Sequence, residues 1–418
     1  MEVEGFRQRR VVTLFGDVVV RRRLYRDKEG KRRFLLDEAL GLDKRSPLSP
    51  QVRELSALLG SYLPFGKCEQ LLRKLIPDGV SHTTIHRQVA RVTGPALARE
   101  EEEVEEVFEQ GKAPEVGKRE VPLLLVEGDG VSVALQREKA RRAEVKVGIA
   151  YEGWEAVGQR HRLKQKTVYM GIMGGEGFWE GFSLRLAKEY DLAKVGQVVV
   201  GGDGAPWVKQ GAELIGGVYQ LDRFHLRRAL LRGLGADQGL AQEVYRACVR
   251  GDVSLVDRLL LQDQAQASGE RAQRIAELRA YILENAGGLV DYRVKLGIAG
   301  LRGMGAIEGN VDKLVASRMK KRGMSWTIRG AQRMARLIQM QHEGDIPSWR
   351  DTSQPRRPAV VQGPAPSPKP TNDQHDPGAW LNVNLPALQG PHHNRPWALA
   401  LRRMAHTRSV PGFRPTKP

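Results

Sequence analysis

Three acidic residues stand where this chain could hold metal ions. Asp129 and Asp203 are each flanked by glycines, and each follows an apolar run, which begins at Val121 and Val198 respectively. Runs of this length predict buried strands, so we expect both acids at strand ends, where open α/β sheets bind ligands. Glu308 lies far downstream in a third segment that also contains glycine. Three converging carboxylates would suit divalent cations, because hard cations prefer oxygen ligands.

The chemistry that such a site supports is phosphoryl transfer. Two cations roughly 4 Å apart can activate an attacking hydroxyl and stabilise both the pentacovalent phosphorus and the leaving oxyanion. We therefore predict that Asp129, Asp203 and Glu308 bind Mg²⁺ or Mn²⁺, with Asp203 best placed to bridge the ions. The competing interpretation for either aspartate alone is a structural turn, because Asp and Gly are common turn residues.

Three further residues could assist the same chemistry. Asp222 and His225 directly follow an apolar strand, and at this spacing both side chains can lie on one side of a first helical turn. From there they could orient a scissile phosphate, a water molecule or a ligating carboxylate; a structural role for the histidine is the alternative. Trp207 is interpreted either as a platform on which an unpaired base stacks or as a core residue.

The overall charge indicates the kind of partner. The chain has 418 residues, a formal charge of +18 and a pI near 10, which point to a polyanion and most simply to nucleic acid. Residues 314–340 carry seven basic residues and no acid. We expect this segment to contact a phosphate backbone through Arg318, Lys320, Lys321 and Arg322.

The composition also excludes other classes of protein. Cys68 and Cys248 are the only cysteines and lack metal-ligand spacing, which disfavours zinc sites and a disulfide framework. No apolar stretch approaches the roughly 20 residues of a membrane span, and the N-terminus lacks the apolar core of a signal peptide. We therefore expect a soluble protein of the cytoplasm that makes no membrane contact.

The elements that would position these residues fall into four regions. Residues 1–45 are predicted to form short strands, and residues 46–110 to form helices that end in an acidic stretch. Residues 120–340 are predicted to form a mixed sheet with helices on its faces, interrupted by a helical block at about 226–295. The Pro-rich segment 344–418 is too poor in apolar residues to predict a folded core.

The helical region has the outline of a helix-turn-helix. A short helix and a tight turn are followed by a second helix that Ser81 can cap, and exposed polar residues of this second helix would face DNA. The candidate contacts are Ser81, His82, Thr83, Thr84, His86 and Arg87. An ordinary helical hairpin is the alternative. The acidic run that follows Arg99 predicts either a solvated connecting helix or a contact for a basic partner domain.

Several ordered motifs resemble one known family. The motifs are Glu127-Gly-Asp-Gly-Val, Glu144-Val-Lys-Val-Gly-Ile-Ala-Tyr-Glu-Gly, Gly202-Asp-Gly-Ala-Pro-Trp, Leu221-Asp-Arg-Phe-His-Leu and Ile307-Glu-Gly-Asn-Val. Together with upstream motifs, they are similar to the Lre-type family of bacterial insertion-sequence transposases, which itself resembles Mutator-like transposases. The resemblance covers roughly residues 9–340.

The resemblance implies a ribonuclease-H-like catalytic domain with an all-helical insertion and an Asp-Asp-Glu triad at Asp129, Asp203 and Glu308. The Mutator-like acid-x-x-His signature falls on Asp222 and His225. The resemblance also implies a bacterial, nucleoid-associated enzyme that binds terminal inverted repeats and target DNA as a dimer or larger assembly. Such an enzyme cuts and joins strands with two Mg²⁺ ions.

Two alternatives to a transposase remain open from the sequence. The first is a ribonuclease-H-like nuclease that cuts DNA without joining it. The second is a non-catalytic DNA-binding protein descended from a transposase. Joined products would distinguish a transposase from the first alternative, and cleavage with any divalent ion would exclude the second.

Overall fold

The computed structural model describes residues 1–348 except 45, 77–78, 236 and 299, so most of the Pro-rich segment predicted over 344–418 lies outside the described residues. The strands, in chain order, are β1 (Glu2–Thr13), β2 (Gly16–Arg26), β3 (Arg32–Arg33), β4 (Leu123–Leu135), β5 (Arg142–Tyr151), β6 (Trp154–Val157), β7 (Arg160–Leu163), β8 (Thr167–Gly171), β9 (Gln197–Gly202), β10 (Val218–Leu221) and β11 (Ser325–Trp326).

The helices, in chain order, are α1 (Leu35–Ala39), α2 (Pro50–Tyr62), α3 (Phe65–Leu75), α4 (His82–Val104), α5 (Gly175–Ala187), α6 (Pro206–Leu214), α7 (Arg223–Leu234), α8 (Gln238–Arg250), α9 (Val253–Gln266), α10 (Gly269–Glu284), α11 (Tyr292–Lys295), α12 (Ile307–Val311) and α13 (Ile328–Glu343). Two helices continue as π-helices, α4 through Glu105–Glu109 and α12 through Asp312–Lys320.

The central sheet contains both parallel and antiparallel pairs. Its strand order is β10-β9-β4-β5-β8, and β11 pairs with the far end of β4. β4, β5 and β8 are antiparallel neighbours, whereas β4 and β9, and β9 and β10, run parallel. A parallel pair needs a crossover connection, and α5 and α6 supply helices between these strands. The prediction of a mixed α/β fold is confirmed.

Strand β4 is buried on both faces, and its side chains alternate between two cores. Leu125 and Val133 pack with α13 on one face, whereas Leu124 and Val126 pack with α5 and α6 on the other. Successive strand residues point to opposite faces, so every odd-numbered residue of this strand faces α12 and α13. Burial on both faces also explains why the sequence shows a continuous apolar run here.

The structure corrects the expected position of Asp129. The sequence predicted that a strand ends at this residue, but β4 continues through it to Leu135 without a break. The reason is its antiparallel partner, because β5 pairs with β4 continuously from Leu125 to Ala134. The parallel partner β9 stops pairing at Gly128. Asp129 therefore lies in mid-strand, one residue beyond the parallel pairing.

A group of helices fills the chain between β10 and α12. Helices α7, α8, α9 and α10 pack around their own apolar core, which includes Leu230, Val244, Leu260 and Ile282. This helical insertion starts immediately after β10. It can therefore carry side chains into the edge of the sheet at which β9 and β10 end.

The N-terminal region combines a small sheet with a helical group. β1 and β2 form a long antiparallel ribbon extended by β3, and α2, α3 and α4 pack around Val52, Leu72 and Ile85. Helix α4 differs from the prediction, because it continues through Pro95 into the acidic stretch. Two helices predicted separately are thus one long helix, followed by the π-helix.

The acidic end of α4 faces basic residues of the same chain. Glu100 forms an ion pair with the buried Arg336 of α13, and Glu103 forms one with Lys188 at the end of α5. These pairs connect α4 to the layer of helices on the sheet. This part of the acidic stretch is therefore an intramolecular contact rather than a purely solvated connector.

Candidate metal centre

Strand β4, helix α7 and helix α12 bring together one aspartate, one histidine and one glutamate. The ligand atoms of Asp129, His225 and Glu308 all lie within 4.8 Å of one another. Asp129 is 8 % exposed, whereas the side chain of Glu308 is 50 % exposed. Two carboxylates and an imidazole in this arrangement suit a divalent cation, and the open side at Glu308 leaves access for a substrate.

The His225 ring supplies independent support for this fit. Its Nε2 lies 3.8 Å from Glu308 Oε2 and is buried without a hydrogen-bond partner among the described residues. Buried polar nitrogens usually have a partner, so a nitrogen without one inside a carboxylate cluster is available to a cation. A bound divalent cation would give this nitrogen a partner.

Asp203 lies beside the cluster rather than among its three converging ligand atoms. It follows β9, and its Oδ1 accepts a hydrogen bond of 2.9 Å from the backbone N–H of Ala205. The helical insertion holds this turn, because the Tyr281 hydroxyl donates to the Asp203 carbonyl at 2.8 Å. The next residue, Gly204, has φ +97°, and a side chain there would meet Asn285. The predicted bridging role of Asp203 stays a prediction.

The Asp222 and His225 pair separates into two roles. Asp222 is the N-cap of α7, and its Oδ1 accepts hydrogen bonds from the backbone N–H groups of Phe224 and His225. The Asp222 carboxylate therefore caps a helix and is not among the three converging ligand atoms; its predicted catalytic role stays a prediction. The cap instead fixes the first turn of α7, from which His225 projects into the cluster.

Burial and neighbouring acids perturb the ionisation of Asp129. The pKa of Asp129 is raised to about 6, chiefly by burial, although the hydrogen bond from the Gly130 backbone N–H lowers it. The carboxylates of Asp203 and Glu308 contribute to the rise, and His225 opposes it. A cation at the cluster would therefore compete with a proton for this carboxylate below about pH 6.

Without metal, Asp129→Asn is expected to stabilise the protein above about pH 6. A folded pKa of about 6 against 3.8 for the ordinary carboxyl means that ionisation opposes folding. The stability that the protonated Asp129 carboxyl contributes is complete below its pKa in the unfolded state. It is lost as the pH rises through its pKa in the folded state. The gain for the variant is at most about 3 kcal/mol near pH 8 and vanishes below about pH 4. Urea unfolding in EDTA at several pH values would measure it, and a difference independent of pH would contradict it.

Glu127 is a functional candidate that the sequence interpretation missed. It is 1 % exposed and shares the face of β4 with Asp129, because the two are separated by one residue. Its carboxylate accepts hydrogen bonds from the Tyr151 hydroxyl and from backbone N–H groups at the start of α12. Burial raises the pKa of Glu127, whereas these hydrogen bonds lower it. An acid inside an apolar strand, which must find partners, was the available signal.

The cluster lies in a cavity of about 680 Å³ that is also lined by basic residues. Arg228 and Arg232 come from α7, and Lys320 and Lys321 come from the end of the π-helix that continues α12. Arg228 and Arg232 form no ion pair or hydrogen bond with any described residue. Their spacing from His225 places all three on one face of α7, a signal that was present in the sequence. We call the side chains of Arg228, Arg232, Lys320 and Lys321 the cleft cations.

Two residues predicted to contact DNA pack within the protein, one fully buried and one partly buried. Arg318 is 3 % exposed, donates two hydrogen bonds of 3.0 and 2.9 Å to the Gly60 carbonyl, and packs on the rings of Phe65 and Trp326. A buried guanidinium cannot reach a phosphate, so that prediction is wrong. Trp207 is partly buried and packs edge-on against Phe178 of the core on the α5 side, with ring centroids 5.0 Å apart. Its predicted role as a platform for an unpaired base stays a prediction.

The remaining predicted contacts lie on two surfaces. Arg322 is exposed and donates to the Tyr62 carbonyl at 3.2 Å. Ser81 caps α4 as expected from its position, accepting a hydrogen bond from the Thr84 backbone N–H. Four residues of the first two turns of α4 are exposed, namely His82, Thr83, His86 and Arg87. Of these, His82 forms a hydrogen bond with Glu69 of α3 through its Nδ1, so only its other ring nitrogen is available to a partner.

In the part of the chain that the structure describes, no helix combines the length and apolar character needed to cross a membrane.

Similarity to known proteins indicates the family of this chain. A protein of Streptococcus gallolyticus, named for its position in the vanSb 3′ region, is 28% identical over 377 residues, covering 85% of this chain and 77% of the relative. A protein of Caldanaerobacter subterraneus, whose name covers four gene loci, is 26% identical over 353 residues, covering 82% of this chain and 70% of the relative.

Both relatives carry the family name UPF0236. The model of that family, described as "Uncharacterised protein family (UPF0236)", matches residues 1–354. The match includes the sheet, the helical insertion and every residue of the cluster. The chain therefore belongs to the UPF0236 family.

Proposed function

We propose that this chain is a DNA transposase with a ribonuclease-H-like catalytic domain, which binds the ends of an insertion sequence and then cuts and joins DNA strands. The observation that carries the proposal is the position of the Asp129, His225 and Glu308 cluster. The cluster lines the same cavity as the cleft cations. Acids that bind cations, next to arginines and lysines that bind phosphates, suit a phosphodiester substrate.

The strand arrangement supports the finer fold proposal. Three antiparallel strands, β4, β5 and β8, are followed by the parallel strands β9 and β10, and the first strand lies in the middle. This order is the one expected of a ribonuclease-H-like domain. Asp129 on the middle strand and Asp203 after the next parallel strand then face the same edge, close to Glu308 on α12.

Each group at the site has a distinct task in the proposed reaction. Bound divalent cations would activate the attacking hydroxyl and stabilise charge on the phosphorus and the leaving oxygen. Asp129, Glu308 and His225 would hold a cation, and Asp203 would complete a second position beside it. The cleft cations would bind phosphates on both sides of the scissile bond, because arginine and lysine donate to phosphate oxygens. Asp222 would hold His225 in place through the cap of α7.

Two further considerations favour transposition over simple cleavage. One relative's name covers four gene loci of a single organism, and repeated genes are typical of mobile elements. The motifs that resemble insertion-sequence transposases include every residue of the cluster. Because transposition brings two DNA ends together, the proposed active form is a dimer or larger assembly on DNA.

The test uses the full chain and duplex fragments from both flanks of its gene, incubated with Mg²⁺ or Mn²⁺. Denaturing gels separate the products. Strand transfer products joined to a second duplex would support the transposase, whereas hydrolysed ends alone would favour a nuclease of the same fold. Binding that persists in EDTA, without cleavage under any divalent ion, would favour a non-catalytic DNA-binding protein.

A further inference from the structure

We infer that Glu127 is a positioning residue, whose buried carboxylate fixes the start of α12 and thereby sets Glu308 opposite Asp129 and His225. The inference deepens the proposed function and rests on the metal site described above. It assigns to Glu127 no contact with substrate or cation. The residue acts through the backbone of the helix that carries Glu308.

The contacts of Glu127 account for both of its oxygens. Its Oε2 accepts from the backbone N–H groups of Gly305 at 3.0 Å and Ile307 at 3.2 Å, and its Oε1 accepts from Ala306 at 3.1 Å. The Tyr151 hydroxyl also donates to Oε1. The side chain is therefore fully engaged and excluded from solvent. It is not available to bind a cation itself.

A carboxylate is well suited to this place. The first N–H groups of a helix have no partner within the helix, and they carry partial positive charge. The N-cap residue of α12, Ala306, has no side chain that can accept a hydrogen bond. Glu127 therefore replaces the missing cap from a neighbouring strand. Hydrogen bonds to an ionised acceptor are shorter and stronger than those to a neutral one.

The segment before α12 is shaped to allow this contact. Gly305 has φ +125°, which side chains rarely adopt, and a Cβ there would lie 3.4 Å from Asp222 Oδ2. The Gly305 N–H can thus turn toward Glu127. The same region is approached by the Asp222 cap of α7. The N-terminal ends of the two helices that carry His225 and Glu308 therefore lie close together.

The position of Glu308 depends on its backbone more than on its side chain. Among the described residues, the only polar contact of its carboxylate is with His225, at 3.8 Å. Residue 307, whose N–H binds Glu127, immediately precedes it. Asp129 lies two residues after Glu127 on the same strand face. One buried carboxylate therefore connects the strand that carries Asp129 to the helix that carries Glu308.

The test measures Mn²⁺ affinity of the full chain by titration followed with electron paramagnetic resonance. Glu127→Gln keeps the side-chain volume but removes the charge and places an amide NH₂ against one backbone donor. We expect Mn²⁺ to bind about 10- to 100-fold more weakly, the usual effect of losing a group that supports a metal ligand. The matched control is Glu152→Gln, since Glu152 is also a poorly exposed acid but pairs with Arg119 and Lys164 away from the cluster. The control variant should lose thermal stability without losing Mn²⁺ affinity.

The outcomes separate this inference from the proposed function. If the folded Glu127→Gln protein binds Mn²⁺ as tightly as the wild type, the positioning role is wrong while the metal site stands. If the wild type binds no Mn²⁺, the metal site fails and the inference fails with it. Hydrogen exchange on the wild type provides a test that needs no variant. The amides of Gly305, Ala306 and Ile307 should be strongly protected, and rapid exchange at all three would overturn the inference.

Discussion

Replacing Asp129 by Asn is expected to slow Mg²⁺-dependent DNA strand cleavage by at least about 1,000-fold, which corresponds to about 4 kcal/mol of transition-state free energy. The asparagine side chain has nearly the same shape, but its neutral oxygen is a weak ligand for a hard cation. The variant should fold normally, because removing a buried charge relieves repulsion from Asp203 and Glu308. Rates of cleavage of an end-labelled duplex at saturating enzyme would measure the loss.

The matched control for this experiment is Asp257→Asn. Asp257 pairs with Arg279 in the helical insertion and does not line the cavity around the cluster. It should cleave at a rate close to that of the wild type. DNA binding by Asp129→Asn should also be preserved, since the cleft cations are untouched. Wild-type cleavage by Asp129→Asn would show that the catalytic centre lies elsewhere in the chain.

Reversing both arginines of α7, Arg228→Glu with Arg232→Glu, is expected to weaken DNA binding by about 10- to 100-fold at low salt. The two guanidinium groups face the cavity without competing ion pairs among the described residues, so each is available to a phosphate. Removing two phosphate contacts should reduce the slope of log affinity against log salt by about two. Fluorescence anisotropy with a labelled duplex over a range of salt concentrations gives both quantities.

An equal change of net charge elsewhere in the insertion provides the control. Arg250 and Arg258 are exposed on α8 and α9, outside the cavity. Changing both to glutamate alters the net charge by the same amount, so it reports the general effect of charge on affinity. If both double variants lose the same affinity, the cleft cations have no special role. A larger loss for the α7 variant would locate the DNA path across the cleft.

The coarse fold was accessible from the sequence because strands and helices leave periodic patterns. The apolar runs before Asp129 and Asp203 predicted strands, and the helical block beyond Asp222 was predicted from its spacing of apolar residues. The pattern does not show which strands pair with each other or over what length. Whether β4 ends before or continues through Asp129 depends on the length of β5, which pairs with it along both halves. Glycines on each side of the acid favoured the wrong alternative, because glycine is also a turn residue.

The site was predicted less completely than the fold, because the residues that meet at the site are far apart in the sequence. Arg318 belongs to a run of basic residues, and only its contact with Gly60, remote in sequence, shows that it is buried. His225 was assigned to a pair with its neighbour Asp222, whereas its ring reaches acids from two other elements. Glu127 belongs to the motif Glu127-Gly-Asp-Gly-Val, which by itself predicts no role for this residue. Its partners precede and begin α12, and no local pattern connects them to β4.

The elements that carry the three converging ligands pack against two different hydrophobic cores. Asp129 and Glu308 stand on elements of the sheet core, whereas His225 projects from a helix whose apolar residues, including Leu226 and Leu230, pack inside the insertion. The candidate metal centre thus lies where these two hydrophobic cores adjoin. Any sliding of one core against the other changes the distance between the histidine and the two acids. Substitutions deep in the insertion, far from the cleft, can therefore alter the centre without touching it.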